Sequence, residues 1–509
     1  MRSCIATIDA GTGGVRCVIF DETGTALCED YREMPTSYGP GGRAEQDPVQ
    51  LVRSAFDAVR GALLRGNADA ARIAGVVVTG TQTTFVPLDA DGSCLTNIIL
   101  WQDARGLEML PQILARLAAS GMSESDLYRR TLRPLDALLA GAKLLWLRER
   151  EPGIYGRIHR LANPQALLSH AFGAPEITVD PSDGGWWLSH DAVTLEVDPE
   201  LIGLFGLDPR HFPTLVDSGA QIGRVSSEAA VRTGLLEGTP IFQGAVDQCC
   251  AALGAGNDGR GSIGTLCLGT AGVVMRCGPE IVPDPLERYY VLHYPAGGYA
   301  HEIAVPVAAS AFRWVRDVLY PGSAARTADV YRSMDAEAMR SPVGANGMVF
   351  LPHLAGSIYP DMNADIRGGW LGASLASRRA DLIRAALEGI CYGMRRIMEA
   401  AGCRFETLRL LGGATRSEFW NRMQADVYGC PVETVCAREA SALGAAMIAA
   451  AGAGLYESLP RAVRAMTSVK RRYEPDPDSA RRYDACYRAW QACLDGLTPR
   501  AFETLAGLR

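Results

Sequence analysis

The chain has no CxxC pair, although it carries fourteen cysteines, and its seven histidines are scattered. The zinc spacings and short disulfide frameworks of cysteine-rich chains are therefore missing. The cysteines, spread from Cys4 to Cys493, read as small apolar core residues of a reducing compartment. There is no excess of positive charge, since 50 Lys and Arg face 57 Asp and Glu for a formal charge of −7. Binding to nucleic acid or to an anionic membrane needs a basic surface, so neither is an expected partner beyond a local patch. Long hydrophobic runs are also lacking. The longest uncharged apolar stretch, Ala440 to Tyr456, is rich in Ala and Gly and falls short of the roughly 20 strongly apolar residues of a membrane span. The N-terminal segment has no apolar block of signal-peptide length. A cytoplasmic protein is the expectation.

What is present is ordinary globular composition, 48% hydrophobic and 21% charged, over 509 residues, a length that favours two or three domains. Ile5 to Ile8, a glycine-rich turn from Asp9 to Gly14, and Val15 to Phe20 read as a hairpin, and Asp21 to Gly24 turns into a third strand. A helix is expected from Asp47-Pro48, with Asp as its cap and Pro first, to about Arg65. Ile73 to Thr79 is a buried-type strand and Asp89 to Gly92 a turn. Mixed strands and helices make an α/β chain.

One pattern occurs twice. Gly11-Thr12-Gly13-Gly14-Val15 follows the first apolar run, and Gly269-Thr270-Ala271-Gly272-Val273 follows Leu266-Cys267-Leu268. Strand, G-T-x-G-V turn, strand, repeated, indicates two related domains, each offering one glycine-rich hairpin turn. The Gly-rich segment Ala251 to Gly264 reads as the hinge, with one domain over 1–248 and the other over 249–509. Turns of this kind suit phosphate, because backbone N–H groups converge on anionic oxygens and Thr adds a donor. Two of them facing one cleft suggest a clamp on a polyphosphate. Asp9 at the mouth of the first turn suits Mg²⁺, which favours few carboxylates plus phosphate oxygens.

A third glycine element, Leu408 to Ser417, is an apolar strand breaking at Gly412-Gly413 before a helix with Trp420, Asn421, Gln424 and Asp426. Paired glycines let backbone approach a flat ligand such as adenine and its ribose. Between the repeats, Ile241 to Gln248 ends an apolar strand at Asp247 and enters a small-residue helix. A carboxylate there is placed to accept a proton from a hydroxyl that receives a phosphoryl group. The first turn leads into a hairpin rather than a helix and lacks G-x-G-x-x-G, which argues against a dehydrogenase.

Over essentially its whole length the chain resembles the FGGY carbohydrate kinases, two-domain members of the actin-like (ribonuclease H-like) superfold. IDAGTGGVR resembles the family's first phosphate motif, CLGTAGVV the second, GAVDQ the catalytic-base motif and LLGGATRSEFWNRMQAD the adenosine motif. Two signature segments also match, AGAKLLWLREREP with Lys143 and Trp146, and GGWLGASLASRRADLIRAALEG from Gly368 to Gly389. Both read as mainly structural, the first through an apolar helix face and the second through an amphipathic helix, and no chemistry is assigned to Lys143. The resemblance implies ATP- and Mg²⁺-dependent phosphorylation of a terminal sugar hydroxyl. It places the base at Asp247 and the metal at Asp9 and Asp247. ATP would be held by Gly11, Thr12, Gly13, Gly14, Arg16, Gly269, Thr270, Ala271, Gly412, Gly413, Ala414 and Ser417.

The substrate pattern departs from familiar subfamilies. Xylulose kinases show Gln-Met-His-Gly where this chain has Gln82-Thr83-Thr84-Phe85, and the Asn-Gln-Arg-Glu of glycerol kinases is missing. Trp101-Gln-Asp103-Ala-Arg105 resembles an element that both use beside the substrate. Gln82, Thr83, Trp101, Asp103, Asp247 and Gln248 are the expected substrate contacts, polar groups suited to hydroxyls plus one apolar wall. Thr83 and Thr84 also fit a solvent-facing turn. A ketose such as D-xylulose or another pentulose is favoured, with glycerol, another polyol or an aldonate as alternatives. A nucleotide-dependent sugar sensor on the same superfold is the alternative of another class. The oligomeric state is not legible, and a homodimer is compatible with the sequence. The arginine-rich helices from Arg461 to Arg509 read as a solvated layer over the second domain. Cys249 and Cys250, directly after Asp247-Gln248, are the two cysteines that adjoin the expected cleft.

Overall fold

The computed structural model describes residues 3–66, 68–136, 138–322 and 327–508. Met1, Arg2 and Arg509, which the expected domain bounds include, lie outside the described residues. Strands β1 (Cys4–Gly11), β2 (Gly14–Asp21) and β3 (Ala26–Glu33) form an antiparallel meander. Helix α1 (Pro48–Gly66) follows, with the Asp47 carboxylate accepting from the Val49 amide at 2.8 Å. Strand β4 (Ile73–Gly80) then pairs parallel to β1, and β5 (Gln221–Arg224) and β6 (Pro240–Phe242) complete the sheet in the order β5-β6-β4-β1-β2-β3. Every residue of β4 is buried, as expected of an apolar central strand covered on both faces.

The second sheet holds β7 (Ile263–Leu268), β8 (Gly272–Gly278), β9 (Tyr290–His293), β10 (Tyr299–Val305), β11 (Thr407–Leu411), β12 (Val432–Val435) and β13 (Val469–Tyr473). Its order is β9-β10-β8-β7-β11-β12-β13. The paths β3-β2-β1-β4-β6-β5 and β10-β8-β7-β11-β12-β13 share one series of pairings: antiparallel twice, parallel twice, then antiparallel. The duplicated G-T-x-G-V turn is thus the local mark of a duplicated sheet, with β9 as an added edge strand.

The remaining helices used below are α2 (Ala140–Arg150), α3 (Asp247–Gly254), α4 (Ala309–Leu319), α5 (Thr327–Ala338), α6 (Arg379–Ala400), α7 (Glu418–Tyr428), α8 (Ala440–Gly452), α9 (Leu459–Met466) and α10 (Pro477–Leu497). Side chains alternate across the first sheet. Ala6, Ile8, Val76 and Val78 pack with α1 residues such as Leu51 and Val59. Ile5, Val18 and Val77 share a core with α3 and α8. Helix α8 is the uncharged stretch noted above. It is apolar all round because protein surrounds it, from Ala442 through Ala450.

Three expectations change. The chain crosses between the sheets at 255–262, because α3 continues to Gly254 and β7 begins at Ile263, so a boundary at 248/249 would cut a helix. Of the arginine-rich C-terminal helices, α10 does cover the second sheet's core, through Tyr483, Tyr487, Trp490 and Leu494. Helix α9 instead places Ala462, Val463 and Met466 in the core shared with the first sheet. Of the fourteen cysteines only six are buried, seven are intermediate and Cys436 is exposed. Small size lets a thiol sit in a half-buried layer as readily as in a core. Among the described residues, no helix is long and apolar enough to cross a membrane.

Candidate active site

The chemistry-bearing residues of the first half converge because neighbouring parallel strands end together. Asp9 on β1 lies opposite Thr79 on β4, and Gly80 bridges to Val246, the residue before Asp247. Asp9, the Thr81–Thr84 loop and Asp247 thus leave the same edge of the sheet, where open α/β sheets present ligand sites. Asp247 is the first residue of α3, with Val246 as the cap position, so its carboxylate does not cap the helix.

The first turn is held from three sides. Gln46 Nε2 donates to Thr12 O at 2.7 Å, Tyr31 Oη donates to Gly13 O at 2.7 Å, and the indole Nε1 of Trp101 donates to Thr12 Oγ1 at 2.8 Å. The Trp101 loop and the first glycine-rich turn are therefore joined directly. Trp101 keeps 36% of its surface exposed, as a wall of the cleft would. Its main chain is set from below by Lys143 of α2, whose Nζ donates to Leu100 O at 2.9 Å and Trp101 O at 2.8 Å. Burial lowers the Lys143 pKa to about 7. Arg16 is drawn aside into ion pairs with Glu29 at 3.2 Å and Glu439 at 3.4 Å.

The expected substrate residues divide. Gln82 Nε2 donates to both carboxylate oxygens of Glu302, at 3.1 and 2.9 Å. Thr83 and Thr84 are buried rather than solvent-facing, and Thr83 adopts φ 56°. Thr84 Oγ1 accepts from Trp101 N at 3.0 Å, while Thr83 Oγ1 is unbonded. Gln248 is half-buried next to Asp247. Asp103 differs from expectation: it is fully buried, with Oδ1 accepting from Arg105 Nε at 2.8 Å and Oδ2 from Ala44 N at 2.8 Å. Its oxygens are spent on shaping the loop, not turned to the cleft.

The second turn docks on α4. Ala309 N donates to Gly269 O at 3.0 Å, Ser310 Oγ donates to Thr270 O at 2.7 Å, and Arg313 Nη2 donates to Thr270 Oγ1 at 3.2 Å. Beside it opens a cavity of about 640 Å³ that includes Gly269, Thr270, Gly413, Ala414 and Ser417 in its lining. Gly412 serves the fold rather than the cavity, since its φ is +87° and a Cβ there would lie 2.6 Å from Leu268 O. Ser417 caps α7 by accepting from Trp420 N at 3.0 Å. Phe312 and Arg313 of α4 and Tyr331 and Asp335 of α5 complete the cavity. No motif flagged them; only their place after the second turn in amphipathic helices could have.

Electrostatically the cleft is poised for a cation. Burial pushes the Asp9 carboxyl up to about 7, with Glu439 adding to the rise and Arg16 opposing it. Asp247 is raised well above the usual carboxylate range by burial first, then by Asp9 and Glu302, with Asp183 contributing. Two mutually repelling carboxylates suit a hard divalent ion. Among the described residues no group of three or more His, Cys, Asp or Glu forms a metal cage. Mg²⁺ takes one or two carboxylates and fills its shell with phosphate oxygens and water, so Asp9 and Asp247 are the residues that could hold it.

Sequence reasoning missed Arg133, Gln165, Asp183 and Glu302, all buried, of which Gln165 bonds Gly80 and Glu302 bonds Gln82. A charge inside the apolar β10 run was the available signal for Glu302. Cys249 and Cys250 are fully buried, their sulfurs directed to His293 O and Ala245 O. Alkylation of the native protein is therefore expected at Cys436 first, with Cys249 and Cys250 reacting only on unfolding. Peptide mass mapping checks this, and ligand-sensitive labelling of either buried thiol in the native state would refute it.

Family models for the N-terminal and C-terminal domains of the FGGY family of carbohydrate kinases match residues 4–254 and 264–453. A xylulose kinase of Bacillus subtilis is 27% identical over 485 residues, with 94% of each chain covered. A glycerol kinase of Chloroflexus aurantiacus is 28% identical over 519 residues, covering 97% of this chain and 98% of the relative. The crystal structure of xylulose kinase from Rhodospirillum rubrum matches with a TM-score of 0.86 at 28% identity, covering 97% of this chain and 99% of that one. Ligand-bound xylulose kinase from Lactobacillus acidophilus shares the fold, with a TM-score of 0.88 at 21% identity over 98% of this chain and 99% of that one.

Proposed function

The chain belongs to the FGGY family of carbohydrate kinases and is a sugar kinase; we propose that it transfers the γ-phosphoryl group of Mg²⁺-bound ATP to a terminal hydroxyl of a ketose such as D-xylulose or another pentulose. The observation that carries this reading is Asp247. It is a carboxylate left free of capping, at the strand ends beside the first glycine-rich turn and a cluster of buried polar side chains. A xylulose kinase at 27% identity and a glycerol kinase at 28% match along nearly the full chain alike, and the ketose is favoured by the likeness to the solved xylulose kinase of Rhodospirillum rubrum at 28% identity.

In this reading the adenosine moiety lies in the cavity beside Gly413 and Ser417, and the turns at Gly11–Gly14 and Gly269–Ala271 hold the phosphates through backbone N–H groups. Asp9 and Asp247 would hold Mg²⁺, which when bound neutralises charge on the phosphate oxygens. Asp247 accepts the hydroxyl proton as the phosphoryl group transfers. Trp101, fixed by Lys143 and tied to Thr12, sets the acceptor hydroxyl's wall against the phosphate turn. Most of the rate comes from alignment and charge stabilisation.

A coupled assay of ADP release over pentuloses, hexuloses, polyols and aldonates tests the reading. The expected result is sugar-dependent turnover, greatest with a pentulose. Activity confined to glycerol would refute the ketose assignment.

A further inference from the structure

The chain passes between the cores of the two sheets three times: at 255–262 from α3 to β7, at 436–439 from β12 to α8, and at 467–468 from α9 to β13. One cavity of about 490 Å³ borders all three crossings. Gly254 lines it at the first, Val435 through Glu439 line it at the second, and Met466 and Ser468 flank the third. The rest of its lining is Leu443 of α8 and the β2–β3 hairpin of the first sheet. It shares no lining residue with the cavity beside Gly413 and Ser417. These crossings carry every covalent connection between the sheets, so any change in the sheets' relative orientation has to be absorbed there.

Two contacts brace the junction. The β2–β3 turn presses on the end of α9, where a Cβ at Gly24 would lie 2.4 Å from Met466 O, and Arg16 reaches Glu439 at 3.4 Å. Arg16 stands opposite Asp9 in the β1–β2 pairing, so the second crossing is tied to the strand end that carries Asp9. The cavity's apolar lining includes Phe20, Leu443 and Met466, all buried, and Leu27, which is 44% exposed. Its charged lining residues are Glu29, Glu439 and Arg438. Both carboxylates pair with Arg16, at 3.2 and 3.4 Å, whereas Arg438 makes no ion pair among the described residues. A cavity of this size between domains, with apolar walls and one uncommitted cation, fits an organic anion whose apolar body fills the space while its acid group meets the guanidinium.

We infer that this junction cavity is a regulatory site for an amphipathic organic monoanion. An occupant touches both the first-sheet hairpin and all three crossings, and so holds the two sheets in one arrangement. Turnover that needs the domains to move is slowed without competition for either substrate's place.

The probe is anilinonaphthalene sulfonate, an aromatic monoanion, titrated by fluorescence into the full chain. Saturable binding is expected that saturating ATP does not displace. Arg438→Gln should weaken it about threefold or more. Leu27→Glu, which replaces apolar wall by a like charge, should weaken it about tenfold or more. Bound probe should also slow alkylation of Cys436, which lines the cavity. With both substrates saturating, the probe is expected to lower wild-type kcat by about fivefold or more and to leave Leu27→Glu unaffected at the same concentration. Displacement by ATP, unchanged affinity in Leu27→Glu or an unchanged rate of Cys436 labelling overturns the site. Unchanged affinity in Arg438→Gln overturns the anion assignment, and binding without loss of kcat overturns the regulatory role. Cys436 protection needs no variant, so the site is decided even if a variant does not fold. The fluorescence and labelling arms stand apart from the kinase reading, and absence of turnover with every sugar would sink that reading while those arms still decide the site.

Discussion

Asp247→Asn is expected to lower kcat by about 10²–10⁴-fold while sugar still binds within a few-fold of wild type. The substitution keeps size and shape at the start of α3 and removes only the basic oxygen. Because Asp247 caps nothing, helix α3 loses no capping bond. The same residue sets a pH dependence. Burial and the charges of Asp9 and Glu302 raise its proton affinity, and a base works only when unprotonated. The acid limb of kcat/KM should therefore lie above the ordinary carboxylate range of about 4, with activity falling as pH drops through it. Steady-state kinetics across pH, with calorimetric binding as the control, checks both points. Retention of more than a few per cent of wild-type kcat would remove Asp247 from its role.

Gly444→Val should be the most damaging substitution outside the site. Helices α3 and α8 cross so closely that a Cβ at Gly444 would lie 1.8 Å from Cys250 O, and one at Gly254 would lie 1.9 Å from Ala440 O. Both obstacles are backbone, so no rotamer change relieves them. Forcing the helices apart opens the shared core around Val246, Cys249 and Leu443 and moves α3, which carries Asp247. Overpacking of this kind costs about 1–3 kcal/mol or more, and a fall in melting temperature of about 5 °C or more is expected, or loss of soluble protein. Gly203→Ala is the matched control, because nothing lies within 4 Å of a Cβ there. It should be neutral or mildly stabilising, as Ala is in a helix. Differential scanning fluorimetry and kcat of the soluble fraction separate the two. Wild-type stability in Gly444→Val would mean that the helix crossing is looser than described.

The fold was legible where the signal is local. The hairpin around Thr12-Gly13, its copy at Thr270-Ala271, the Asp47-capped helix and the buried β4 strand all follow from short-range pattern, and the repeat exposed the duplication. What stayed hidden depends on distant partners. Asp103 looked like a substrate contact because Trp101-Gln-Asp103-Ala-Arg105 resembles an element used beside the substrate in related kinases. Arg105 of the same motif and the Ala44 amide, which folding brings in from 59 residues away, take up its oxygens. Helix α8 looked like an uncharged run of no assigned purpose, and only its crossing with α3 explains its glycine and alanine content. Glu302 lies more than 200 residues from Gln82 in sequence, so no local pattern could join them.

The most direct test of the central claim is product analysis. Purified protein is incubated with ATP, Mg²⁺ and each sugar of the panel, and mass spectrometry reads the acceptor while ADP is quantified. A monophosphorylated uncharged sugar formed in step with ADP, and abolished by Asp247→Asn, is the predicted result. ADP released with free phosphate, and no phosphorylated sugar from any member of the panel, would contradict it.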